Sequence, residues 1–160
     1  MANSGIVYLD HAGTTSMDPR VLEFMMPYFS EIYGNPSSLH AVGQKARVAL
    51  DESRERASNV LHCRPREGVL TGSGTEADDA AVQGVANALL KTGNHKIATS
   101  AENLAVLHAC QHLETRGFDV TYLPVDSYGM IQPDAVYDAI TDRTTLVSIM
   151  YANNEIGTIN

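Results

Sequence analysis

Three short polar segments of this chain hold the residue types from which a ligand site can be built. Gly72-Ser73-Gly74-Thr75 stands directly before a helix-forming run. Glycines let a backbone approach a ligand closely, and the first amides of a helix present partial positive charge. With the Thr75 hydroxyl as a further donor, the segment is a candidate phosphate cradle. It is neither a Walker motif nor a GxGxxG fingerprint, and a Gly-rich loop with Thr75 as a plain helix cap accounts for the same residues. Asn153-Asn154-Glu155 offers two uncharged amides, suited to orienting the polar edge of a ligand or, alternatively, to making a turn. Ser100-Ala101-Glu102-Asn103 is the third segment.

Groups able to form covalent bonds are few. The lysines are Lys45, Lys91 and Lys96, and the cysteines are Cys63 and Cys110. The cysteines form no CxxC pair and read as free thiols in a reducing compartment. His108 and His112 stand four apart on a helical stretch around Cys110, a spacing that can bind metal. No third ligand and no HExxH glutamate accompany them, so a packed or solvated helix face is the preferred reading and no metal site is assigned.

The elements that must position these groups follow from periodicity. An extended arm, Ile6 to Leu9, leads to a helix start at Asp18-Pro19, with Asp18 as cap and Pro19 at the first helical position. Pro27 and Gly34-Asn35-Pro36 end that region. An amphipathic helix runs from about Leu39 to His62, with Val42, Ala46, Ala49, Ala57 and Val60 near one face and Glu52 spaced to pair with Arg56. Strands are predicted at Gly68–Thr71, Ile97–Ser100, Val120–Val125 and Thr145–Tyr151, with helices at Thr75–Leu90, Leu104–Arg116 and Pro133–Ile140 between them. Such alternation implies an α/β fold of three αβα layers, a mostly parallel sheet with helices on both faces. Ligands of such sheets sit beyond the carboxyl ends of the strands. All three polar segments are predicted there.

Composition narrows the partners. The 160 residues carry a formal charge of −8, with 44% hydrophobic and 19% charged residues. That is ordinary for one globular domain. The acidic balance argues against nucleic acid or an anionic membrane as the main partner, and a phosphate-bearing ligand must be held by local dipoles and hydroxyls. No apolar run reaches the roughly 20 residues needed to span a bilayer. The first residues lack a secretory pattern, and a cytoplasmic location is expected.

One further segment, Tyr33-Gly34-Asn35-Pro36-Ser37-Ser38-Leu39-His40, follows Tyr8-Leu9-Asp10-His11-Ala12-Gly13-Thr14-Thr15 and precedes Gly72-Ser73-Gly74-Thr75-Glu76-Ala77-Asp78. Ala152-Asn153-Asn154-Glu155-Ile156-Gly157-Thr158 completes the series. In this order and spacing the chain resembles the first half of a cysteine desulfurase, of the class V aminotransferase group of pyridoxal-phosphate enzymes. The likeness runs from about Ile6 to Ile159. It implies an N-terminal arm over residues 1–15 and, over residues 16–160, the N-terminal half of a fold type I large domain. The family's C-terminal half and small domain are not matched.

The resemblance also implies a chemistry: pyridoxal 5'-phosphate converts L-cysteine to L-alanine, leaving a persulfide on the enzyme for iron–sulfur cluster assembly. Gly74 and Thr75 would hold the cofactor phosphate, and Asn154 would face the ring oxygen and the substrate carboxylate. Asn103 falls where the family has a ring-stacking histidine. The family's Ser-Ala-X-Glu-His is one residue longer, and an amide cannot act as a general acid or base near neutral pH. No residue of this sequence matches the family's cofactor-linking lysine, sulfur-carrying cysteine or ring-nitrogen aspartate, so no catalytic residue is assigned. The implied partners are a second copy, as homodimer, and an iron–sulfur scaffold or sulfur acceptor. The alternatives are another class V enzyme, such as a selenocysteine lyase or small-amino-acid aminotransferase, and a non-catalytic truncated paralogue acting as a binding subunit.

Overall fold

Short-range capping signals determine how the first part of the chain folds. The computed structural model describes residues 5–160 and divides the chain into two units, Met1–Val69 and Leu70–Asn160. In the first unit, α1 (Pro19–Met25) begins where Asp18 accepts the Arg20 amide at 2.8 Å, with Pro19 at the first position. Pro27, expected to end this region, instead opens α2 (Pro27–Ser30), because a proline at the first helical position forfeits no hydrogen bond. The arm from Ile6 to Leu9 is exposed and belongs to no strand.

The long helix α3 spans Ala41–Val60, capped by His40, whose ring nitrogen accepts the Gly43 amide at 3.3 Å. Its predicted apolar face is only partly realised. Ala46 is buried, but Val42, Ala57 and Val60 are exposed, while Gly43 and Ser58 are buried instead. At the first turn, backbone proximity explains why Gly43 is buried. A Cβ on Gly34 would lie 2.3 Å from the Val42 carbonyl oxygen, and one on Gly43 would lie 2.6 Å from that of Asn35. The Tyr33–His40 segment therefore rests against the first turn of α3, and only glycine fits at either point. Arg56 reaches Glu52 at 3.7 Å and also lies 5.5 Å above the Phe24 ring, linking α3 to α1.

The second unit is a parallel sheet in the order β2-β1-β3, with strands β1 (His95–Thr99), β2 (Asp119–Leu123) and β3 (Thr144–Ser148). Helices α4 (Gly74–Ala88) and α5 (Leu104–Thr115) cover one face, where Val82, Ala86, Ala98, Val106, Ala109, Cys110, Leu113 and Phe118 form the core. Helix α6 (Pro133–Ala139) lies on the other, over Ile97, Leu123 and Ile131. The expected αβα layering is thus present. Among the described residues, no helix is long and apolar enough to cross a membrane.

One predicted strand is missing. Gly68–Thr71 is irregular, with Val69 and Leu70 largely exposed. A strand exists only through its hydrogen-bonded neighbour, and none of the three strands pairs with this segment. Its apolar residues mimic a strand in sequence without supplying a ladder.

All five residues of β1 are buried, which puts three polar side chains, His95, Lys96 and Thr99, inside the unit. His95 sits between the hydroxyls of Thr144 at 2.7 Å and Thr121 at 2.9 Å. Lys96 points to the opposite face. A bulge in β3 leaves Thr145 without a register partner; the Lys96 ammonium donates to its hydroxyl and stands 5.1 Å from the Phe118 ring centroid. Burial without a carboxylate pushes the Lys96 pKa below its ordinary 10.5. The folded state therefore binds this proton less readily than the unfolded chain. The penalty is complete below the folded pKa and is relieved as pH rises towards 10.5. Replacing Lys96 with Met should accordingly raise the urea midpoint at neutral pH, with a gain that shrinks in alkaline buffer. A variant less stable than the parent at neutral pH would show that the hydroxyl and ring contacts outweigh the desolvation.

Candidate functional site

The start of α4 shows how far Gly72–Thr75 is committed to its own helix. Ser73, not Thr75, is the cap: its hydroxyl accepts the Glu76 amide at 3.2 Å. The Glu76 carboxylate turns back to accept the Gly72 amide at 2.6 Å. The amides of Gly74 and Thr75, at the first two helical positions, remain the open donors of the turn. A Cβ at Gly74 would meet nothing within 4 Å, and Thr75 is exposed. Because the Gly68–Thr71 strand does not form, this turn is reached from an irregular segment rather than from a strand end.

The other two segments do follow strands. Beyond β1, three consecutive residues each hold something different. The Ala101 carbonyl accepts Asn153 Nδ2 at 3.4 Å. Glu102 Oε1 accepts both the Thr99 hydroxyl at 3.0 Å and the Met150 amide at 2.7 Å. Asn103 Oδ1 caps α5 by accepting the Ala105 amide at 2.9 Å. Asn103 is exposed, but this acceptor is spent on the helix.

After β3 the chain doubles back, with Ala152 and Ile159 forming an antiparallel bridge. Asn153 is a turn residue here: its Oδ1 accepts the amides of Glu155 at 2.9 Å and Ile156 at 3.1 Å. Asn154 is different. Its side chain is exposed and donates from Nδ2 to Glu155 Oε1 at 3.2 Å. The turn reading of the pair thus holds for Asn153, while Asn154 stays exposed. The Asn153–Ala101 bond brings the Asn154 turn beside the Asn103 loop at one end of the sheet. Asp78 of α4 and Ser148 of β3 line a common small cavity, so the first turns of α4 flank the same end of β3.

The remaining candidates lie elsewhere or are inert. Lys96 is buried in the other half of β1, while Lys45 and Lys91 are exposed on α3 and after α4. Burial first, and then Glu102 and Glu114, hold the Cys110 thiol above its usual range. It is therefore a neutral core side chain rather than a nucleophile. His108 and His112 are exposed on α5. Sequence reasoning missed Glu102: an acidic residue in a polar loop carries no local sign that it will be buried.

Comparison with known proteins gives this arrangement a family. The aminotransferase class-V model matches residues 7–160, and the chain belongs to that family. It is similar to the cysteine desulfurase IscS of Clostridium botulinum, at 50% identity over 153 residues, which is 96% of this chain and 38% of that protein. A solved NifS-like protein superposes with a TM-score of 0.90 at 40% identity, over 96% of this chain and 42% of its own. SspA, solved in complex with cysteine, gives 0.87 at 38% identity, over 95% of this chain and 44% of its own. The chain thus spans about two fifths of the length of the relatives it matches.

Asn103 allows a direct test of its structural duty. Asn103→Ala should lower stability by about 1 kcal/mol, the usual value of a helix cap, whereas Asn103→Asp or Asn103→Ser should retain most of it. Thermal unfolding of the three variants decides; a neutral Ala variant would mean that α5 starts without this cap.

Proposed function

We propose that this chain is the cofactor-phosphate and substrate-facing part of a pyridoxal-phosphate-dependent cysteine desulfurase. The overall reaction would take L-cysteine to L-alanine and leave sulfur on the enzyme as a persulfide for iron–sulfur cluster assembly. The observation that carries the reading is the bond between Asn153 and Ala101, which sets the exposed Asn154 beside the end of β1. The 50% identity to an IscS protein supports it, as does the likeness to a structure solved with cysteine.

The residues present fit a phosphate ester. The open amides of Gly74 and Thr75, the uncluttered space at Gly74 and the Thr75 hydroxyl supply donors that a chain of charge −8 cannot supply through its overall field. When bound, pyridoxal 5'-phosphate supplies the electron sink that amino-acid chemistry requires. Thr75 and the α4 amides would hold the phosphate, and Asn154 would offer an uncharged donor to the ring oxygen or the substrate carboxylate. Asn103, an amide, would move no proton there. Residues 16–160 would then be the N-terminal half of the large domain, with residues 1–15 as an arm. The working enzyme would be a cytoplasmic homodimer that passes sulfur to a scaffold or acceptor protein.

The capping role of Asn103 favours a second reading, a subunit that binds but does not catalyse. A neutral amide with its oxygen committed to Ala105 leaves no acid–base group at that position. Cys110 is buried outright, and Cys63 is half-buried. Another class V activity, on selenocysteine or on small amino acids, rests on the same residues.

Pyridoxamine 5'-phosphate tests the site without needing a lysine. The chain should bind it, inorganic phosphate should compete, and Thr75→Ala should weaken it roughly tenfold, as expected for one lost hydrogen bond to a charged group. With pyridoxal 5'-phosphate and L-cysteine, the chain alone should release neither sulfide nor alanine catalytically. Turnover abolished by replacing Lys45, Lys91 or Lys96 would contradict this account.

A further inference from the structure

Glu102 lies where the loops beyond β1 and β3 meet. It is 8% exposed, and a single oxygen, Oε1, takes both the Thr99 hydroxyl and the Met150 amide. The first donor ends β1; the second lies just beyond β3, 48 residues after Glu102. Its neighbours in sequence hold the hairpin that carries Asn154, through the Ala101 carbonyl, and the start of α5, through Asn103. The Met150 carbonyl in turn accepts Asn160 Nδ2 at 3.1 Å, and Asn160 Oδ1 accepts the Ile131 amide at 3.0 Å. Both flanks of the Asn154 hairpin thus lead back to the residue that Glu102 holds.

We propose that Glu102 is a proton-sensitive positioning residue, whose buried carboxylate draws the ends of β1 and β3 together and thereby sets where Asn154 stands. The proposal rests on the cofactor reading only for what Asn154 is positioned to meet. Two donors on one oxygen make a strong clamp when that oxygen is charged, because hydrogen bonds to an ionised acceptor are about twice as strong as neutral ones. Protonation leaves a neutral carbonyl oxygen and a weaker hold on Met150.

The surroundings place that protonation within reach. The charged or titratable groups that face Glu102 are Asp78 from α4 and Cys110 from α5. From the ends of β1 and β3 it meets only the Thr99 hydroxyl and the Met150 amide, and no ion pair includes it among the described residues. Burial dominates, raising its pKa above the ordinary 4.5; the Met150 and Thr99 bonds oppose the rise, and Asp78 adds slightly to it. Because the folded pKa is raised, global stability declines as pH climbs from 4.5 through the folded value, while the clamp itself tightens. Ionisation therefore shifts free energy from overall stability into local order at the Asn154 hairpin.

The test is an amide NMR titration of the ligand-free chain between about pH 4 and 8, spanning the ordinary and raised carboxyl ranges. Glu155→Gln is introduced in parent and variants alike, so that the carboxylate against Asn154 Nδ2 no longer titrates. In that parent, the Met150 amide and the side-chain amides of Asn153 and Asn154 should titrate together, with a midpoint above that of an ordinary glutamate. Glu102→Gln should abolish the common titration and hold the signals near their acidic positions. Thr99→Val, which removes one donor to the carboxylate, should move the midpoint upward. If Asn153 and Asn154 stay still while Met150 titrates, or titrate unchanged in Glu102→Gln, the proposal is overturned. Pyridoxamine 5'-phosphate is then added at the end of the titration. Failure of the parent to bind it, with the common titration intact, refutes the cofactor reading and supports the positioning role.

Discussion

The double-sided burial of β1 is the constraint on which the second unit depends. With β2 on one side and β3 on the other, β1 has both ladder edges satisfied, and helices close both of its faces. Parallel strands require a crossover between neighbours, so every strand must end at the same side of the sheet. The loops after β1 and β3 therefore emerge together. The polar bonds found there, from Glu102 to Met150 and from Asn153 to Ala101, are consequences of that shared exit.

The same burial forces a division of labour between the two ends of β1. Where the strand begins, polar side chains are sealed in: His95 between two threonines, Lys96 against Thr145 and Phe118. Their hydrogen bonds are internal, and they contribute nothing a ligand could use. Where the strand ends, Thr99 and Glu102 are sealed in and bonded to each other, while Asn103 and Asn154 in the adjoining loops are exposed. On the proposed reading, Glu102 is the buried organiser that holds such exposed groups in place.

Much of this was legible in the sequence, for identifiable reasons. Asp18-Pro19 marked a helix start because the cap and the proline act within a few residues. The alternation from α4 to β3 was visible because apolar period changes with element type. The failures share a cause, since each depended on a distant partner. Gly68–Thr71 has strand-like residues and no neighbouring strand. Val42 has the spacing of a core face, but at the first turn of α3 a backbone contact between Gly34 and Gly43 buries Gly43 instead. Asn153 and Asn154 are identical in type and adjacent, and only the fold assigns one to the turn and leaves the other open. Glu102 was invisible because its burial is set by Met150, far along the chain.

On the proposed reading, the start of α4 and the Asn154 turn form one site for a phosphorylated pyridoxal-type ligand. Backbone amide shifts of the chain on addition of pyridoxamine 5'-phosphate test it most directly. The largest changes should fall on Gly74, Thr75 and Asn154, with Asn103 next. Changes confined to α4 would reduce the site to a simple anion contact, and changes elsewhere in the chain, or none at all, would contradict the account.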